Sequence, residues 1–268
     1  MSRPSRRTAL ATALAAVAAP AAAEAIRDAA PPASDAAAWS AYEGRLRDRI
    51  ADAGGGRFDD AAAREALVLS NAARTAAGAP ALAWHDDLEK AARAHAGDLA
   101  RRGYVEHLSP EGFDPSHRFW LLSRRVIGSP SENIGYHSGP GSPVGARHFM
   151  DQWRKSPGHW RNMLRASHTH GAFAMVRGPR QAVLVGLYVN PLAELAEPLP
   201  FHARGQEIGR AIRSLPPEAR PRLSVPQGSR LGEVDGTPPV MQLTAVRLVE
   251  VGRFDVIGGP IFLAAGGA

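Results

Sequence analysis

Three short blocks between His107 and His159 constrain this chain more than any other feature in it. They are His107-Leu108-Ser109-Pro110-Glu111-Gly112, Ser131-Glu132-Asn133-Ile134-Gly135 and Ser156-Pro157-Gly158-His159-Trp160-Arg161-Asn162. Each sets a His or Glu beside a turn or an element end, and together they supply two imidazoles and two carboxylates. That is the chemical content of a metal or acid/base site. Pro110 and Gly112 make the first block a turn, so His107 is presented from a loop. Ser131 to His137 reads as a strand with Glu132 at its start, directed into a groove between sheet and helices. In the third block Ser156 reads as a helix N-cap and Pro157 as the first helical residue. The positive end of that helix dipole favours a neutral His159, and neutral imidazole is the form that ligates metal or accepts a proton.

The rest of the chain reads as a soluble fold around those blocks. There is no cysteine, so neither a disulfide frame nor a thiolate metal site exists and the core alone must hold the fold. The formal charge is +6, yet the arginines are interspersed with acids and no long basic run occurs, which argues against nucleic acid as a partner. Residues 1–25 combine a basic head, a short Ala/Leu/Val run and small residues at a cleavage point, the three parts of a secretory signal. The apolar run is too short to span a bilayer. Arg6-Arg7 fits either an ordinary signal or a twin-arginine one, and both deliver a periplasmic or secreted protein.

Trp39, Tyr42, Leu46 and Ile50 share one helical face and predict a brace helix within residues 26–57. Helices are predicted from about Asp59 to Ala77 and from Asp86 to Arg102, the second stopping at Gly103. His95 lies in the apolar stripe of Leu88, Ala91, Ala92 and Leu99 and reads as a core residue. A short helix from His117 to Leu122, a Gly/Pro-rich loop over 138–145 and a helix from Val144 to Lys155 follow. Gly171 to Val176 and Ala182 to Val189 read as strands joined at Gly178-Pro179. Residues 198–239 are rich in Pro, Gly and Arg, and Val240 to Val251 and Phe254 to Leu263 read as short strands.

Asn71 and Arg74, then Leu82-Ala83-Trp84, then Leu88 and Ala94-His95-Ala96, followed by the three blocks, resemble the CAP superfamily. These are the cysteine-rich secretory, antigen 5 and pathogenesis-related-1 proteins, here in bacterial form. The resemblance covers 58–192 and implies an α+β fold, a three-layer α-β-α sandwich with a mostly antiparallel sheet. Residues 193–268 are then a Pro/Gly-rich extension, a small β appendage. The resemblance implies a cleft lined by His107, Glu132 and His159, with Glu111 as candidate for a fourth family position whose place varies. His107 and His159 would be the metal ligands, a pair suited to weak, exchangeable zinc because water must complete the shell. Glu132 and Glu111 would orient the rings or hold a water, and are the candidate catalytic groups.

The function so implied is a secreted binding protein for a divalent metal and a lipid, glycan or peptide ligand. Two alternatives stand beside it: a metal-dependent hydrolase of peptides or cell-wall material, and a structural or adhesive module. No His-Glu-x-x-His, Gly-x-Ser-x-Gly or phosphate-binding glycine loop is present, which puts the non-enzymatic roles first. His168-Thr169-His170 is a second histidine pair. Alternation at a strand start would aim both rings to one side, or His168 would lie at the surface.

Overall fold

The computed structural model describes residues 26–139 and 144–265. The leader read at 1–25 and part of the loop read at 138–145 lie outside the described residues. The first elements are α1 (Ala36–Ala51), β1 (Arg57–Phe58), α2 (Asp60–Ala76), β2 (Ala83–Trp84) and α3 (Asp86–Arg102). They lead into α4 (Pro115–Leu122), β3 (Val126–Ile127), β4 (Ser131–Ser138), α5 (Ala146–Arg154), α6 (Pro157–Leu164), β5 (His170–Arg177) and β6 (Gln181–Val189). The chain closes with β7 (Ala193–Glu194), β8 (His202–Ala203), α7 (Gly205–Ser214), β9 (Arg222–Ser224), β10 (Val240–Glu250) and β11 (Arg253–Ala264).

Local chemistry sets the boundaries of the predicted helices. The first turn of α3 carries Asp86, Asp87 and Glu89 and its last turn Arg101 and Arg102, both complementing the helix dipole. Gly103 ends it in the left-handed region at φ 70°, a conformation that costs glycine nothing. A capping box of Asp114 and His117 starts α4, with Pro115 at its first turn.

The central sheet runs β1-β5-β6-β4, antiparallel throughout, with β2 joined parallel to the end of β5. Strands β5 and β6 are almost continuously buried, the pattern of a sheet covered on both faces. Ala172, Ala174, Val183, Val185 and Leu187 face a layer built from α1, α3 and α4. Phe173, Met175, Leu184 and Tyr188 face α2, α5 and α6. This is the three-layer α-β-α sandwich. Helix α5 sits so close to the sheet that a Cβ on Gly135 would lie 2.5 Å from the Phe149 ring.

Helix α1 is part of the first layer. Trp39, Tyr42 and Leu46 are all buried, and the Tyr42 ring stacks on Phe113 at 3.9 Å. Burial of each such side chain stabilises by about 1.5–3 kcal/mol. The C-terminal residues form a second sheet, β8-β11-β10-β9, which packs with α7 and Ile127 around Leu199, Leu215, Leu243 and Phe262. The two expected strands are there, as β10 and β11. Helix α7 is an addition to the sequence reading, with Ile208, Ala211, Ile212 and Leu215 turned into that core. Pairing of β3 with β7, together with Trp120 packed against Gly258, docks this sheet onto the first layer.

Candidate functional site

The site is built around a buried carboxylate. Glu132, the second residue of β4, has a side chain only 1% exposed, and both its oxygens are fully engaged. Oε1 accepts from His107 Nδ1 at 2.8 Å and from Arg118 Nη2 at 3.1 Å. Oε2 accepts from His95 Nδ1 at 2.8 Å and from the same guanidinium at 3.1 Å. Burial pushes the carboxyl pKa up, but the charge of Arg118 and the hydrogen bonds from the His107 and His95 imidazoles outweigh it and hold Glu132 well below the usual carboxylate range. Burial opposes the charge on Arg118 as well, and the Glu132 carboxylate reverses that and raises its pKa. Burial and Arg118 push His95 down, which favours neutral imidazole with Nδ1–H donating to Glu132. Among the described residues His95 Nε2 is then buried without a partner.

Arg118 also fixes the His107 loop. Its Nη2 donates to the His107 carbonyl at 2.8 Å and its Nη1 to the Phe113 carbonyl at 3.0 Å. The turn containing His107 is thereby tied to α4, while the imidazole itself stays half exposed.

Across the cleft, His159 lies in the first turn of α6. The Ser156 hydroxyl is 2.8 Å from His159 Nδ1 and makes no capping bond, so the predicted N-cap acts on the ring instead. Burial, and after it the neighbouring His107 imidazole, lowers the His159 pKa, which favours the neutral form. Asn133 donates to the His159 carbonyl at 2.9 Å and joins α6 to the Glu132 strand. From the other side the buried Arg74 donates to the carbonyls of Pro80, Met163, Arg165 and His168, holding the end of α6 in place.

His107, Glu132 and His159 thus line one open cleft of about 480 Å³. Each of the two histidines has Nδ1 engaged, His107 by Glu132 and His159 by Ser156, and Nε2 of neither meets a hydrogen-bond partner among the described residues. An Nδ1–H fixed by an oxygen acceptor leaves Nε2 as the lone-pair nitrogen, the tautomer suited to metal ligation. A lone-pair imidazole nitrogen is the kind of donor that zinc takes. No group of three His, Asp or Glu side chains that could hold a metal ion occurs among the described residues. Arg161 and Arg165 stand exposed on the cleft wall, and among the described residues neither guanidinium is seen in an ion pair.

Three expectations change. Glu111 does not line this cleft: it is held by Arg45 from α1 and by Arg102 from α3, the latter at 2.9 Å, and these pairs keep it away from the His107, Glu132 and His159 side chains. Burial raises its pKa, but the two guanidiniums prevail and keep it below the usual range. His168 is buried, not superficial, with its ring stacked on Tyr188 and burial pushing it down to about 4. It does not share a site with His170, whose ring lies 5.6 Å from that of His85. His95, read as core, is in the core, but there it grips Glu132. The reading of the blocks missed Arg118 altogether.

A family model described as the cysteine-rich secretory protein family, CAP, matches residues 67–188. An outer surface protein from Borrelia burgdorferi is similar in structure, at 16% identity and a TM-score of 0.43, over 51% of this chain and 98% of that one. An extracellular protein containing an SCP domain from Bacillus anthracis is similar at 19% identity and a TM-score of 0.41, over 49% of this chain and 41% of that one. No curated protein matches in sequence. The matched span contains His95, His107, Arg118, Glu132 and His159, and it is over these residues, 67–188, that the chain has a CAP domain.

Proposed function

We propose that this is an exported CAP-domain binding protein whose cleft holds a divalent metal, zinc by preference, on Nε2 of His107 and His159, beside a lipid, glycan or peptide ligand. The observation that carries the reading is the matched pair of imidazoles, each anchored at Nδ1 and free at Nε2. Bound there, the metal would supply a positive charge and open coordination positions for a ligand oxygen. Two protein ligands and an adjacent carboxylate already neutralised by Arg118 make that binding weak and exchangeable. Arg161 and Arg165 suit a ligand that carries an acidic group.

The binding reading stands ahead of the hydrolase reading because a general base works best with a pKa near the operating pH. Glu132 is saturated with donors and held low, and Glu111 is engaged elsewhere. For export, the support is the leader composition at 1–25. No helix among the described residues is long and apolar enough to cross a membrane.

Calorimetric zinc titration of the parent and of the His107→Ala, His159→Ala double variant tests the metal reading. Heat in the parent that is lost in the folded variant supports it, and equal heat in both defeats it. A panel of peptide and cell-wall substrates turned over only with zinc present would promote the hydrolase.

A further inference from the structure

The outer half of the C-terminal hairpin has no strand beside it. β9 pairs β10 only at Gln242 to Thr244, and β8 pairs β11 only at Leu263 and Ala264. From Ala245 to Glu250 and from Arg253 to Ile257 no further strand lies beside the ribbon, and on the β11 side the edge is open from Arg253 to Asp255. Of the nine large apolar side chains exposed among the described residues, five fall here: Leu248, Val249, Val251, Phe254 and Val256. An open, apolar strand edge is a template for pairing with another chain.

The ribbon's two faces differ. On one, Leu248 lies opposite Phe254 and Val246 opposite Val256. On the other, Arg247 pairs with Asp255 at 2.8 Å and Arg253 with Glu250 at 3.0 Å. The outer edge of β11 is also phased. The Gly258 carbonyl accepts from Gly128 N–H and the Val256 carbonyl from the Gln227 side chain, so this parity faces away from β10. Phe254 is the next residue in that phase, beyond the last bond.

We propose that this ribbon pairs with the same ribbon of a second copy of the chain, β11 against β11, antiparallel about a two-fold axis through Phe254. In that register Phe254 meets Phe254 of the second copy, and Arg253 meets Asp255 of the second copy, twice by symmetry. The charged face then reads Arg247, Asp255, and Arg253 and Glu250 of the second copy, alternating in sign across four strands. The opposite face becomes a row of Leu248 and Phe254 and their two counterparts. Sliding by one step in either direction places Arg253 against Arg253 or Asp255 against Asp255, which penalises the neighbouring registers. The four charges close into two ion pairs within each hairpin, leaving no net charge to favour an anionic membrane surface.

Sedimentation velocity on the full chain over a concentration series is the test. The parent associates to a dimer. Arg253→Asp and Asp255→Arg each weaken that association about tenfold or more, since each sets like charges opposite one another. An equimolar mixture of the two variants restores it, because both pairs opposed across the interface are again opposite in sign. Phe254→Pro, which removes the outward N–H, is monomeric with unchanged melting. A parent that stays monomeric at every concentration overturns the proposal, as do variants that dimerise like the parent or a mixture that fails to recover. A monomeric parent that sediments with phosphatidylcholine vesicles overturns it in favour of a lipid surface.

Discussion

Glu111 and Glu132 are both carboxylates held by arginine near the His107 loop, yet they are different objects. Glu132 is 1% exposed, satisfied by one guanidinium and two imidazoles, and lies beneath the cleft. Glu111 is 23% exposed and bridges Arg45 and Arg102 on the outside of the same layer. The first sets the position of the His107 ring, and the second ties α1 to α3. Spacing from His107 along the chain says nothing of this distinction, which arises from the partners that the fold brings to each carboxylate: Arg118 and two imidazoles to Glu132, Arg45 and Arg102 to Glu111.

The sharpest way to break the comparison is to remove each acid. Glu132→Ala leaves Arg118 buried without its counter-charge and should cost about 3–5 kcal/mol. Against a total stability of about 5–15 kcal/mol this is a large drop, readable in urea unfolding. Glu111→Gln should cost about 1 kcal/mol or less, because its pairs are partly exposed and screened by salt. Equal losses would show that the two acids do the same job.

Acid titration separates the buried cluster by a smaller effect. His95, His159 and His168 are held neutral, with His168 lowered to about 4. The unfolded chain therefore takes up protons first as the pH falls below about 6.5, and stability is lost from there down to about pH 4. Glu132 is held low, so its contribution is complete above the ordinary carboxylate range and is lost at still lower pH. His168→Gln should flatten the first stage and leave the second, as followed by denaturant unfolding at a series of pH values. A stability curve that stayed level between about pH 6.5 and 4 would contradict this order.

Much of this was legible in sequence where local chemistry decides. The ends of α3 follow from its charged turns and Gly103, and β5 and β6 from their apolar runs. The two histidines and Glu132 were marked by their turns and by resemblance to the family. Arg118 was not, because an arginine between His117 and Phe119 reads as a solvated charge until β4 brings Glu132 to it. His95 carried an apolar-stripe signal that gave its burial correctly but concealed its polar partner. Helix α7 was hidden by the Pro, Gly and Arg around it, since its apolar face acquires meaning only against β10 and β11.

The most direct test of the cleft is long-range proton–nitrogen NMR of the histidine rings with and without zinc. We expect His107 and His159 to show protonated Nδ1 and lone-pair Nε2 in the free protein, and zinc to shift the Nε2 signals of those two rings alone. Unchanged Nε2 signals at saturating zinc, or shifts centred on His85, His168 or His170, would contradict the assignment of the metal to this pair.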